Sequence, residues 1–173
     1  AAVRARRSIV VAGAQGAGKT TLVRALCAEI PRHEAIGTFE TEYELHLHEL
    51  RDQHPIVFAW EARPGSGERG PDGRQAGEFT LSEALFDSFR FNLSRQIVGE
   101  VRGHEILAML KAMESGAGSI ATTRAPTAEG AIAKLVTCAM EAGPHVTHDY
   151  AVRAIAAAID VVVHVHLETA PTT

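Results

Sequence analysis

Eight consecutive residues constrain this chain more than any other feature. Gly13-Ala14-Gln15-Gly16-Ala17-Gly18-Lys19-Thr20 matches the pattern G-x-x-x-x-G-K-[ST] without exception. Before it, Ser8-Ile9-Val10-Val11-Ala12 is a β-branched apolar run, the pattern of a buried parallel strand. After it, Val23, Leu26, Cys27 and Ile30 recur at helical spacing until Pro31 stops the helix. Strand, glycine loop and helix in that order make an anion cradle. The glycines permit backbone conformations that bring successive N–H groups close to a phosphate, and the helix start adds positive potential. Gly13, Ala14, Gln15, Gly16, Ala17, Gly18, Lys19, Thr20 and Thr21 are therefore the expected nucleotide-binding residues. Lys19 is expected on the β- and γ-phosphate oxygens, and the Thr20 hydroxyl on Mg²⁺. No Asn-Lys-x-Asp follows, so the guanine-specifying element is missing and ATP is the expected nucleotide.

The rest of the chain alternates strand and helix signals. Further strands are expected near 35–40, 56–61, 96–101, 119–122 and 161–167. Helices are expected from Thr80, around Ile106 to Met113, between Pro126 and Gly143-Pro144, and around Val152 to Ile159. Thr80 with Glu83 three residues on is a capping box. Such alternation gives an α/β fold with a mostly parallel sheet flanked by helices, formed by residues 1–173 as one domain. Residues 62–79 break the rhythm. Rich in Gly, Pro and Arg and without periodicity, they are expected to form a long mobile loop.

Composition excludes other classes. The net charge is −4, which gives no strong field toward nucleic acid or an anionic membrane, although 14 of the 17 basic residues are Arg. Two cysteines, Cys27 and Cys138, lie in apolar helical patterns and suit buried positions in a reducing compartment. No apolar run approaches the ~18 residues of a membrane span, and Ala1 to Arg7 lead into no secretory-type apolar segment. The arginines of 63–74 lack the interleaved aromatics of a single-strand nucleic-acid groove, so no direct nucleic-acid contact is expected. Trp60 reads as core or interface.

Carboxylates recur where strands end. Glu40, followed by Glu42 and Glu44, closes the second strand, and Ile97-Val98-Gly99-Glu100 closes another. In open α/β sheets the ligand crevice lies at the carboxyl ends of the strands. A carboxylate there orients or deprotonates an attacking water, or holds Mg²⁺ through water. The competing readings are a solvated acidic loop for Glu40 and an ion pair with Arg102 for Glu100. Thr122, Thr123 and Arg124 end a third strand, where they either sense the γ-phosphate or cap the following helix. His46 and His48, with His54 nearby, fit a polar edge strand better than a metal site.

Together these residues resemble the type II/IV secretion ATPases, and most of all the CpaF-like branch that powers Flp/Tad-type pili. The likeness runs in order from about Arg7 to Thr169. Phe39-Glu40-Thr41-Glu42-Tyr43-Glu44-Leu45 resembles that family's Asp box. Arg63-Pro64 and Gly77-Glu78-Phe79-Thr80-Leu81 resemble the segments before its Walker B element, and Ile97-Val98-Gly99-Glu100-Val101-Arg102-Gly103 is close to Walker B itself. The resemblance implies a RecA-like P-loop NTPase fold, Glu40 as catalytic glutamate and Glu100 as the Walker B acid. It implies a homohexamer with sites at subunit boundaries, completed by a neighbour's arginine. Arg63, Arg90, Arg95 and Arg102 are the candidates, and Arg124 is a candidate sensor. It further implies inner-membrane secretion or pilus platform proteins as partners, reached from the cytoplasmic face of the membrane. The N-terminal domain of the family is expected to be absent. Two positions depart from the pattern: Thr41 stands where the Asp box has Asp, and Thr122-Thr123-Arg124-Ala125 carries Arg124 in place of the usual His. These departures motivate an alternative, a nucleotide-binding scaffold or switch with weak or no hydrolysis. A small-molecule kinase and a DNA-pumping motor have less support.

Overall fold

Apolar residues alternate along the strands, and each alternate set finds its own cover. In the computed structural model, which describes residues 1–168, Val10, Phe39, Val98 and Ala121 face one layer, and Ile9, Val11, Ile36, Ile97 and Ile120 face the other. Six strands form one all-parallel sheet: β1 Ile9–Gly13, β2 Ile36–Glu40, β3 Val57–Glu61, β4 Arg95–Val98, β5 Ile120–Thr123 and β6 Val161–Val165. Their spatial order is β3-β2-β4-β5-β1-β6. Helix α1, Lys19–Cys27, covers one face together with Leu45 and Leu47. Helices α2 Leu81–Ser88, α3 Ile106–Glu114, α4 Ala128–Met140 and α5 His148–Ala158 supply Leu85, Met109, Leu135 and Ile155 to the other. The expected α/β architecture is thus found, with every strand parallel. No helix among the described residues is long and apolar enough to cross a membrane.

Element ends follow local chemistry. Thr80 caps α2 with the full box: its N–H donates to Glu83 Oε2 at 2.8 Å and its hydroxyl accepts from Glu83 N–H at 3.2 Å. Helix α1 stops at Cys27, one turn before Ile30, which the following turn buries. The expected strand 96–101 is shorter, and Glu100 lies just past its end. Thr127, rather than Thr123, caps α4, because Thr123 is committed to the sheet and its hydroxyl to the Val101 carbonyl. Residues 62–79 carry local order in the form of two antiparallel bridges, Arg63 with Phe79 and Ser66 with Ala76.

Two expectations need correction. His46 and His48 do not lie on an edge strand. The segment folds into a 3-10 turn, Leu47–Glu49, because Leu45 and Leu47 are drawn into the core. Arg95 cannot serve a neighbouring subunit. It opens β4 with no exposed surface and pairs through its guanidinium with buried Glu34.

The β4–β5 ladder is short, with two registered pairs, Ile97 with Ile120 and Val98 with Ala121. Beyond it the strands part. Val101 N–H donates to the Thr122 carbonyl at 2.8 Å, and the Thr122 hydroxyl donates to the Gly99 carbonyl at 2.5 Å.

Candidate active site

A cleft of about 360 Å³ opens at the carboxyl ends of β1, β2, β4 and β5. Gln15, Gly16, Gly18, Lys19, Thr20, Thr21, Glu40, Glu100, Arg102 and Arg124 all line it, with Thr41, Glu42, Glu44, Gly99 and Thr122. The sheet brings together groups from the loop after β1 and from the ends of β2, β4 and β5.

The glycine loop has the conformation its sequence requires. Gly16 (φ 75°) and Gly18 (φ 91°) occupy the left-handed region, where a side chain would be strained. Gly13 is needed for another reason: a Cβ there would lie 2.5 Å from the Val165 carbonyl oxygen. Lys19 Nζ donates to the carbonyls of Gly13 at 3.1 Å and Ala14 at 2.8 Å, so these two residues shape the loop from behind. Burial pushes the Lys19 ammonium below its ordinary value; Arg124 and Lys134 add to this, while Glu100 and Glu44 oppose it.

Glu40 is 2% exposed. Its Oε2 accepts from the N–H groups of Glu44 and Leu45, both at 2.9 Å, so the loop after β2 fixes the carboxylate. Its Oε1 is buried without a hydrogen-bond partner among the described residues. The strand register explains how it meets β4. Phe39 pairs with Val98, Gly99 N–H donates to the Phe39 carbonyl at 2.8 Å, and a Cβ on Gly99 would lie 2.9 Å from Glu40 Cγ.

Glu100 lines the cleft and is ion-paired, as the competing reading with Arg102 expects. Arg102 holds Oε2, with Nε at 2.6 Å, and Arg124 Nε lies 2.8 Å from Oε1 without an aligned hydrogen bond. Arg124 Nη1 also donates to Gln15 Oε1 at 3.1 Å, tying the end of β5 to the glycine loop. Arg63 and Arg90 lie outside this cleft; Arg63 is exposed beside Thr41 and Glu42, with Nε on the Gly77 carbonyl at 3.2 Å. One partnership had no sequence signal strong enough to single it out. The Thr20 hydroxyl donates to Glu44 Oε2 at 3.1 Å across 24 residues. Thr20, Glu44 and Glu100 are hard oxygen donors in one cleft, a set that fits Mg²⁺.

The family model described as "Type II/IV secretion system protein" matches residues 1–170. The type IV secretion system protein PtlH of Bordetella pertussis is 34% identical over 141 residues, 81% of this chain and 39% of that protein. The type IV secretion system protein VirB11 of Brucella suis is 32% identical over 168 residues, 95% of this chain and 44% of that protein. The crystal structure of the VirB11 ATPase from the Brucella suis type IV secretion system, in complex with sulphate, superimposes with a TM-score of 0.80 at 31% identity, over 95% of this chain and 45% of that one. The Legionella pneumophila ATPase DotB, at 22% identity and a TM-score of 0.67 over 94% of this chain and 42% of that one, shares the fold. The chain thus spans less than half the length of these relatives. With the sheet, the glycine loop and the strand-end carboxylates already in place, the match over residues 1–170 means that this chain belongs to the type II/IV secretion system protein family.

Proposed function

We propose that the chain is an ATP-hydrolysing motor domain of a type II/IV secretion machine. One observation carries the reading: the phosphate-binding loop and two strand-end carboxylates, Glu40 and Glu100, converge in a single cleft. In this reading Lys19 and the loop N–H groups bind the triphosphate. Glu40 is the residue that handles water. With Oε2 fixed by two N–H groups, Oε1 is the oxygen left to orient the attacking water and take its proton. Thr20, with Glu44 and with Glu100 through water, would hold Mg²⁺, which when bound neutralises charge on the β- and γ-phosphates.

The finer reading is a CpaF-like ATPase of Flp/Tad pilus assembly, supported by the heptapeptide Ile97–Gly103. It carries with it a homohexamer acting on inner-membrane secretion or pilus platform proteins from the cytoplasmic face. Arg102 and Arg124 engage Glu100 within the chain, whereas exposed Arg63 stands clear of the cleft. That contrast favours Arg63 as the arginine offered to a neighbour, with Arg124 as the phosphate sensor. A second reading, a nucleotide switch with weak hydrolysis, is favoured by the two arginines on Glu100 and by Thr41 in place of an acid.

Mg-ATP hydrolysis is measured as protein concentration is raised, with mass followed by light scattering and Lys19→Ala as the blank. The motor reading expects turnover that rises with assembly and falls by about 10²-fold or more in Glu40→Gln, with ATP binding retained. Undiminished turnover in Glu40→Gln refutes the role of Glu40. Tight ATP binding without turnover in an assembled ring supports the switch.

A further inference from the structure

We infer that the turn at His46–Glu49 is a binding site for one divalent transition-metal ion of the zinc class. This inference does not rest on the ATPase reading. Leu45 and Leu47, each 1% exposed, anchor the turn in the core and leave His46 and His48 on its outer side. His46 sits at φ 49°, and Glu49 N–H donates to its carbonyl at 3.1 Å, which folds Glu49 back onto the two imidazoles. The ligand atoms of His46, His48 and Glu49 all lie within 4.8 Å of one another. His46 Nδ1 is 3.2 Å from Glu49 Oε1, and His48 Nε2 is 3.9 Å from the same oxygen. In a tetrahedral zinc site with bonds near 2.0–2.1 Å, neighbouring ligand atoms stand about 3.3 Å apart, so the His46–Glu49 spacing already matches and His48 must close on Glu49 by about 0.6 Å.

A hydrogen bond joins His46 Nδ1 and Glu49 Oε1 but does not account for the place of His48. The His48–Glu49 separation of 3.9 Å is too long for a hydrogen bond. His48 Nδ1 is buried without a partner among the described residues, and Nε2 is the ring nitrogen nearer the carboxylate. The Tyr43 ring, 5.0 Å from that of His48 and held by its hydroxyl on the Ala59 carbonyl, limits the motion of the imidazole. Two imidazoles and a carboxylate, with the outer side open to solvent, select a borderline metal such as Zn²⁺, Co²⁺ or Ni²⁺ over Mg²⁺ or Ca²⁺, which take all-oxygen shells. The site is therefore chemically distinct from the oxygen donors around Thr20. Both cysteines are buried and do not compete for the ion.

The chain has nine histidines, so adventitious binding is the alternative to exclude. The 173-residue chain is titrated with Co²⁺, read by visible absorption, and with Zn²⁺, read by calorimetry. The test variant is His46→Asn/His48→Gln, in which Asn tolerates the left-handed backbone at position 46. The control variant is His145→Asn/His148→Gln, and circular dichroism verifies the fold of both. The expected result is one equivalent bound by the parent chain and by the control. In the test variant the affinity falls by about tenfold or more and the cobalt spectrum is lost, with Glu49→Gln intermediate. Equal affinity in the test variant, or loss in the control instead, overturns the assignment. So does the absence of any Co²⁺ spectrum in the folded parent at millimolar metal.

Discussion

Replacing Arg95 with Met tests whether the innermost charge of this protein is structural. Arg95 has no exposed surface, and its guanidinium reaches both oxygens of Glu34 and, at 3.4 Å, the Gly118 carbonyl. Removing one member of a buried ion pair costs about 3–5 kcal/mol, because the other charge stays behind unpaired. Arg6 softens the loss, since it also holds Glu34 Oε1 at 3.0 Å, but it is 46% exposed and its contribution is screened. We therefore expect about 3 kcal/mol for Arg95→Met, which for a domain of this size lowers Tm by about 6–12 °C. Urea unfolding followed by the fluorescence of Trp60, the single tryptophan, measures it. The double variant Glu34→Met/Arg95→Met recovers most of the loss, because a buried pair replaced by apolar groups is near neutral. The pH dependence has a definite sign. Burial raises the Glu34 carboxyl, but the hydrogen bond and charge of Arg95, with Arg6, outweigh it and hold it below its ordinary range. A depressed carboxyl stabilises the fold above its unfolded pKa, about 4.3, and that contribution fades as pH falls through the lower folded value. The gap between parent and Arg95→Met therefore narrows in acid. A loss under about 1 kcal/mol, or a double variant no better than the single, refutes the reasoning.

Arg124→His takes one of two arginines off Glu100. Turnover of the assembled protein at saturating Mg-ATP is expected to rise severalfold. An unchanged kcat, with assembly verified by light scattering, would mean that Arg102 alone governs Glu100. Burial pushes the Cys27 thiol up to about 12 and raises that of Cys138 as well. A thiol reagent at pH 8 is expected to find no fast-reacting group in the native protein and two in urea. A fast native phase would contradict the burial.

The features legible in the sequence are those whose causes lie within a few residues. The glycine loop, the Thr80–Glu83 box and the alternation that splits Ile9 and Val11 from Val10 all write their physics locally. The strand ends at Glu40 and Glu100 were legible because a parallel sheet collects such ends on one edge. What the sequence conceals depends on distant partners. Nothing near Arg95 announces Glu34, which lies 61 residues away, so a buried counter-ion resembled a free finger. Alternating Leu and His around position 46 has the period of a strand, and nothing local signals the tight turn found there. Only the core that takes Leu45 and Leu47 decides between them. The bond from Thr20 to Glu44 is likewise concealed, because β1 and β2 are separated in the sheet by β4 and β5 and nothing local pairs the residues that follow them.

The short β4–β5 ladder has a mechanical consequence. It divides the sheet into two slabs. The slab of β3, β2 and β4 carries Glu40 and Glu100, and the slab of β5, β1 and β6 carries Thr122 and the glycine loop. Every other ladder registers four or five pairs, against two here. The seam of least backbone stitching thus runs beneath the cleft. A small shear along it changes the distance from carboxylates to loop while leaving each slab intact. The hydroxyls of Thr122 and Thr123, bonded to the Gly99 and Val101 carbonyls, are rivets across that seam, beside the Val101 N–H bond to the Thr122 carbonyl.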